Sequence, residues 1–342
     1  MKAVYHPGQR QHYPRHFLSS GAQQANPEHP DRVDALLAGV TASGLDCIEP
    51  DNHGTGSIAA VHTPQYLHFL ANIHTRWQRI DGASDEVVPN IHPDTRHAGY
   101  PKSAVGQAGY HMADTSCPIG PHTWESSLWS AYSALTAAQQ VHAGDDAAYA
   151  LCRPPGHHAF GDLAGGFCYL NNTAIAAHWL TGQGHRVAIV DVDLHHGNGT
   201  QGIFYERSDV LTVSVHADPV RYYPFFWGYT GETGNGAGRD YNLNLPLPRG
   251  SGDDEFLAAL EQGLERVALF DPDSLVIALG LDAAASDPFA GLAVSTNGFA
   301  RIAACCAALK KPTLLVQEGG YLSPELPRNL SAVLDVFAAR SS

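Results

Sequence analysis

No stretch of the 342 residues approaches the length of an apolar membrane span, and Met1-Lys2-Ala3-Val4-Tyr5-His6-Pro7 holds no apolar segment of the kind a secretory signal needs. Cysteine is sparse: six residues, none in a C-x-x-C pair, with Cys305 and Cys306 adjacent. That pattern supports neither a disulfide framework nor a cysteine-built zinc cluster, and it points to a reduced, cytoplasmic chain. Basic charge is also short. Twenty Lys and Arg against 34 Asp and Glu leave a net charge of −14, which argues against nucleic acid as a partner and favours a cationic substrate through long-range steering. Internal repeats and Pro/Gly/Ser linkers are missing too, so residues 1–342 read as one domain. A hydrophobic content of 44% is ample for its core.

What is present centres on Ala188-Ile189-Val190-Asp191-Val192-Asp193-Leu194-His195-His196-Gly197-Asn198-Gly199-Thr200. An apolar, β-branched run bounded by Gly-Asn-Gly reads as a buried strand ending in a turn. On an extended backbone Asp191, Asp193 and His195, at i, i+2 and i+4, share one face. Burying two carboxylates and an imidazole together requires a compensating cation, and a divalent metal with an open coordination position suits that donor set. The bland alternative is a solvated strand end. Three further apolar runs also stop at reactive side chains: 148–152 leads to Arg153-Pro154-Pro155-Gly156-His157-His158, 274–281 to Asp282, and 313–317 to Glu318-Gly319-Gly320-Tyr321. Strands that each deliver such groups where they end describe an α/β sheet with its site at the carboxyl edge.

In chain order, residues 2–5 read as a short strand and 6–30 as a long loop. Pro30 opens a helix carrying Val33, Leu36, Leu37 and Val40, stopped by Ser43-Gly44. A second helix follows His62-Thr63-Pro64. Residues 78–123 read as irregular and too long for an ordinary connection. Helices are expected over 124–141, 171–180, 256–269, 297–309 and 330–339, and strands over 210–216 and 241–245. Between those strands Arg221 to Tyr229 is an aromatic loop whose rings suit a ligand channel better than a core. Of the twenty histidines, His12, His16, His53, His68, His74, His92, His97 and His185 have no companion motif and read as surface or packing residues.

Assembled, Asp193, His195 and Asp282 are the candidate metal ligands. His157 and His158, after a stiff Pro-Pro-Gly turn, are either a proton-handling pair, further ligands or polar filler. Asp191 and Asn198 are placed to orient those imidazoles from behind. Tyr321, beyond two glycines, can present a protonated phenol to a developing oxyanion. Together these groups describe metal-assisted amide hydrolysis.

The segments 153–158, Gly165-Gly166-Phe167-Cys168-Tyr169-Leu170-Asn171-Asn172, 191–200 and 318–321, with His62-Thr63 and Pro30-x-Arg32, resemble the signature set of the histone deacetylase superfamily. The resemblance runs from about residue 27 to the end. It implies an arginase/deacetylase-type α/β fold in a single domain, with a central parallel sheet of about eight strands flanked by helices, and a zinc deacetylase mechanism. In that mechanism His158 is the main base and acid, His157 is chiefly electrostatic, and Tyr321 polarises the acyl carbonyl. Iron(II) is an alternative to zinc. A structural potassium ion would fall on main-chain oxygens of Asp191, Asp193 and His195, with Ser214 nearby. Gly166, Phe167, Tyr223 and Phe289 would wall the substrate channel.

Asn198, the 78–123 stretch and Tyr229-x-Gly231-Glu232-Thr233-Gly234 look most like the bacterial acetylpolyamine amidohydrolases of the class II-like branch. In those proteins the insertion builds a homodimer that narrows the entrance, and the substrates are small acetylated amines. The acidic residues that read a distal ammonium in polyamine-selective members fall here on Val105 and Ser116, with Asp114 nearby. The segment after Asp282 is small and apolar as far as Phe289. The alternatives are a protein acetyl-lysine deacetylase of the bacterial class II-like type, a non-catalytic metal-binding relative, and an arginase-like manganese enzyme. The intact His pair and Tyr321 speak against the second of these, and a single D-x-D-x-H set against the third.

Overall fold

Aliphatic runs with a polar residue at the downstream end supply the strands. The computed structural model describes residues 1–96 and 99–340; His97, one of the companionless histidines, lies outside the described residues. The strands are β1 (Lys2–Val4), β2 (His16–Ser19), β3 (Ala22–Ala25), β4 (Cys47–Ile48), β5 (Ala147–Ala150), β6 (Val187–Asp191), β7 (Val210–Ala217), β8 (Asn242–Leu247), β9 (Ser274–Leu279) and β10 (Thr313–Gln317). Eight of them form one sheet in the order β4-β1-β5-β10-β9-β6-β7-β8, with every neighbouring pair parallel. The expected α/β domain with a parallel sheet of about eight strands is therefore what the chain forms.

Side-chain alternation along the strands feeds two cores. Ala188 and Val190 of β6 join one apolar cluster, and Val187 and Ile189 join the other. The first face is covered by α1 (Arg32–Ala42), α8 (Asp253–Phe270), α9 (Thr296–Ala307) and α10 (Leu326–Ala338). The second is covered by α5 (Thr123–His142) and α6 (Asn172–Gly182). A third cluster packs α3 (Pro64–Trp77) and α4 (Ala104–His111) on the outer side of α5, through Tyr66, Phe69, Ala108, Tyr132 and Leu135.

Three readings of the sequence are corrected. Residues 6–30 are not one loop: a 3₁₀ turn at Pro7–Gln11 precedes the antiparallel hairpin of β2 and β3. The hairpin gave no signal because most of its side chains face solvent and His-Phe-Leu-Ser and Ala-Gln-Gln-Ala lack an alternating apolar face. The stretch 78–123 is not wholly irregular either, since it contains α4, capped by the Ser103 hydroxyl accepting from the Gly106 N–H at 3.1 Å. The third correction concerns the central motif. β6 stops at Asp191, so Asp193 and His195 lie beyond the extended backbone. There Asp191 Oδ1 accepts the Asp193 N–H (3.1 Å) and Asp193 Oδ1 accepts the His195 N–H (2.8 Å). These two Asx-type turns replace strand alternation as the device that aims the side chains.

A fully buried charge cluster fixes the carboxyl edge of the sheet from below. Glu28 pairs with Arg32 and, at 2.7 Å, with Arg153. Arg32 also donates to the carbonyls of Gly320 (2.7 Å) and Glu318 (2.8 Å), and Arg153 to those of Gln9 (2.7 Å) and His12 (2.6 Å). Four segments therefore meet on one carboxylate and two guanidiniums. Glu28→Gln leaves two buried guanidiniums without their shared anion and is expected to cost about 3–5 kcal/mol in urea denaturation. A loss below about 1 kcal/mol, the level of an exposed pair, would refute this account of the cluster.

Candidate active site

Donor atoms of Asp193, His195 and Asp282 all lie within 4.8 Å of one another and are buried. Main-chain N–H groups hold the carboxylates: Asp193 Oδ2 accepts from Gly319 (2.8 Å) and Asp282 Oδ1 from Leu194 (2.9 Å). His195 Nδ1 faces Asp282 Oδ2 at 3.1 Å and Asp193 Oδ1 at 3.4 Å. The space between them is kept by missing side chains. A Cβ on Gly319 would stand 2.5 Å from Asp282 Oδ2 and 2.6 Å from Asp193 Oδ2, and one on Gly280 would run into the Asp193 carboxylate. Burial raises the pKa of Asp282, and the neighbouring charge of Asp193 raises it further. Burial opposes charge on His195, but Asp193 and Asp282 outweigh it and lift that pKa to about 9. Two carboxylates and one imidazole that attract positive charge this strongly fit a divalent cation.

The imidazole pair stands beside this group, with ring centroids 4.0 Å apart. Glu318 sets their height: its Oε2 accepts the N–H groups of Gly156 (2.6 Å) and His157 (3.0 Å), and its Oε1 accepts the Thr173 hydroxyl (2.6 Å). His157, Cys168 and Glu318 also cluster closely enough for a metal. Glu318 is already committed to those three donors, and burial holds the Cys168 thiol far above its usual pKa, so the cluster reads as support. His157 Nδ1 meets Asp191 Oδ2 at 3.0 Å, and His158 Nδ1 meets Asn198 Oδ1 at 2.7 Å. The partners set the charges. Burial disfavours the imidazolium at His157, yet Asp193 and Asp191 more than offset it and raise its pKa to about 10. His158 has only a neutral amide behind it. Burial, then the positive charges of His157 and His195, hold it well below its ordinary value.

Tyr321 completes the group. Its ring lies edge-on to Phe289 (centroids 5.0 Å apart) and Phe167 (5.9 Å), with the Arg32 guanidinium 4.8 Å from its centre. Burial pushes its phenol well above pKa 10. His157, His158, Asp193, His195 and Tyr321 all line one cavity of about 370 Å³, walled by Phe167, Gly166, Tyr223 and Phe289. The structure thus brings two of the sequence-predicted ligands, the imidazoles, the phenol and the channel residues around one space, with the third ligand, Asp282, grouped with the other two but not lining it. Ser214, in register with Asp191 across β6 and β7, bonds to His216 Nδ1 at 2.8 Å instead. Of the aromatic loop, Tyr222, Tyr223 and Phe225 line the cavity, whereas Phe226 is 85% exposed and Trp227 packs on Phe160.

Sequence reasoning missed two contributors. Asp287 Oδ2 accepts the Tyr321 N–H and Oδ1 the Phe289 N–H, both at 2.9 Å, which ties the phenol's loop to the channel wall. A lone acid in an alanine-rich stretch was the only available signal. Phe17 and Leu18 of the hairpin also line the cavity, Phe17 edge-on to Phe167 at 5.7 Å, and nothing in their neighbourhood announced it.

Comparison with known proteins bears on the same residues. A family model described as the histone deacetylase domain matches residues 26–337. The acetylpolyamine amidohydrolase of Burkholderia pseudomallei is 46% identical over 340 residues, covering 99% of this chain and 99% of its own. Acetylpolyamine amidohydrolase 1 of Pseudomonas aeruginosa is 42% identical over 342 residues, covering 98% and 99%. A crystal structure of acetylpolyamine aminohydrolase from Burkholderia pseudomallei superposes with a TM-score of 0.96 at 46% identity, with 99% of each chain covered.

The donor set predicts about one tightly held divalent ion per chain. Asp282→Ala and His195→Ala are each expected to lower metal content, read by elemental analysis after desalting, by at least about tenfold, since loss even of groups behind the ligands costs that much affinity. Asn198→Ala, which acts on His158 alone, should retain the metal. Equal metal content in all three variants would remove the assignment.

Proposed function

The chain belongs to the histone deacetylase superfamily, close to its bacterial acetylpolyamine amidohydrolases, and we propose that it is a zinc-dependent amide hydrolase that removes acetyl groups from small N-acetylated amines such as acetylpolyamines. The family is metal-dependent, and this chain is a deacetylase-type hydrolase within it. One observation carries the finer reading: Asp193, His195, both imidazoles of the pair and the phenol open on the same cavity of about 370 Å³, of a size for a small molecule's reactive end, with Asp282 buried directly behind His195.

Asp193, His195 and Asp282 would hold a zinc ion (or iron(II)), which would supply Lewis acidity toward the acyl oxygen and a water. The chain's own groups supply the rest. Because His158 Nδ1 donates to Asn198 Oδ1, its Nε2 is left with the lone pair, and the lowered pKa keeps that nitrogen free at neutral pH. His158 Nε2 takes the proton from the attacking water and returns it to the leaving amine. His157, charged between Asp191 and Asp193, stabilises the anion that develops on the acyl oxygen. Tyr321, whose raised pKa keeps it protonated, donates to the same oxygen. The walls of Phe167, Tyr223 and Phe289 hold the stem of the amine and keep bulk water from the reacting atoms.

Further parts belong to this reading. A potassium ion on main-chain oxygens of Asp191, Asp193 and His195 fits the juxtaposition of Asp191 with Ser214. A homodimer through 78–123 fits the exposed Ile80 and Ile91 on that stretch. Six unpaired cysteines fit the cytoplasm. The acidic surface and the lack, among the described residues, of a helix able to cross a membrane leave a small acetylated amine as the partner the chemistry favours.

Tyr321→Phe is expected to lower kcat on acetylputrescine by at least about 10²-fold with metal content retained, the loss seen when one oxyanion donor is removed. In parallel, kcat/KM on acetylputrescine, acetylcadaverine and acetylspermidine should exceed that on an acetyl-lysine peptide. Faster turnover of the peptide would move the substrate class to protein, and full activity in Tyr321→Phe would strip the phenol of its role.

A further inference from the structure

One carboxylate from the 78–123 stretch reaches the channel wall. Asp114 Oδ1 is fixed by the Ser116 N–H at 2.7 Å, while Oδ2 accepts both the Tyr223 hydroxyl (2.7 Å) and the Gly166 N–H (3.1 Å). Its backbone is anchored next door, where Ala113 N–H donates to the Ala164 carbonyl (2.7 Å) and Ala164 N–H to the His111 carbonyl (2.8 Å). The Cys117 thiol also donates to Oδ1, at 3.8 Å, and no ion pair to Asp114 occurs among the described residues, so the carboxylate is committed to these four donors.

The ring that Asp114 holds is packed tightly. Tyr223 stands edge-on to His158, with centroids 4.8 Å apart, and 6.4 Å from His195, at the level of the reacting groups. A Cβ on Gly166 would lie 2.5 Å from His158 Cδ2 and 2.8 Å from Tyr223 Cε1, so not one methyl group fits between the three. A second cavity of about 540 Å³ is lined by Asp114, Phe160, Asn198, Trp227 and, again, Tyr223. Tyr223 thus lines both spaces, and its hydroxyl ties it to Asp114, which lines the second.

We propose that the Tyr223–Asp114 hydrogen bond is a specificity latch that fixes the channel width beside His158 and restricts hydrolysis to amides of unbranched primary amines. The inference rests on the deacetylase reading above and deepens it. A methyl branch on the carbon next to the amide nitrogen would meet the latched ring. With the hydroxyl or its acceptor removed, the ring can yield into the second cavity and the branch is admitted. Asp114 acts as a positioning residue in this scheme, and Tyr223 as the wall it positions.

The test compares acetylputrescine with its analogue methylated on the carbon beside the amide nitrogen, using metal-loaded wild type, Tyr223→Phe, Asp114→Asn and the double variant. In each single variant the linear-to-branched ratio of kcat/KM is expected to fall at least about tenfold, the scale on which a pocket discriminates one methylene. The double variant should show no further fall, because both changes release the same ring. A general loss of fold or metal lowers both rates and leaves the ratio where it was. An unchanged ratio, a change in only one variant, or additive changes in the double variant would overturn the latch. Wild type that hydrolyses neither amide would instead overturn the deacetylase reading itself.

Discussion

Asp193 and Asp282 are buried with their charges turned toward each other and a single imidazole between them. At roughly 5 Å and an effective dielectric constant near 20, two such charges repel by roughly 3 kcal/mol before any cost of leaving water is counted. Among the described residues no Lys or Arg forms an ion pair with them; the guanidiniums of Arg32 and Arg153 are spent on Glu28 and on carbonyl groups, and His157 comes only to 3.8 Å of Asp193. What holds the carboxylates is a set of main-chain N–H groups, from Gly319, Leu194 and His195. The fold has thus fixed the geometry of an anionic donor set and left its charge to be balanced by a cation.

That fixity depends on where the sheet ends. β6, β9 and β10 are neighbours and stop at the same edge, so the segments after them converge although Asp193, Asp282 and Gly319 are far apart in sequence. β5, next in line, delivers the imidazole pair. Glu318 binds the exits of β10 and β5 to each other through the Gly156 and His157 N–H groups, and Arg32 grips the carbonyls on either side of Gly319. The parallel sheet supplies the convergence, and buried charge supplies the last ångström of placement.

Most strands of the main sheet, most helices and the group of reactive side chains could be read in the sequence because each depends on a local signal. An apolar run stops at a polar residue, a Pro-Pro-Gly turn precedes His157, and two glycines precede Tyr321. What escaped was non-local or had no local contrast. Asp287 matters because Tyr321, 34 residues away, lends it an N–H. Phe17 reaches the cavity from a hairpin whose two strands lack an amphipathic face. Asp193 and His195 do stand together, but not by sharing a strand face: the strand has already ended, and hydrogen bonds from side chain to backbone do the aiming. Asp114 was visible only as a carboxylate near the site. Its partner, Tyr223, is 109 residues away.

The two histidines show how little sequence separates distinct chemical roles. They are adjacent, both buried, and both bonded at Nδ1 by a side chain from the segment 191–198. One partner is a carboxylate and the other an amide of nearly the same shape. Against burial, Asp193 and then Asp191 favour an imidazolium at His157; burial first, and then that charge 4.0 Å away between ring centres, makes a second proton on His158 unfavourable. The pair is therefore ordered by mutual repulsion as well as by its separate partners. The two shifts run in opposite directions, and in the proposed reaction that pairing serves to meet an anion at one ring and remove a proton at the other.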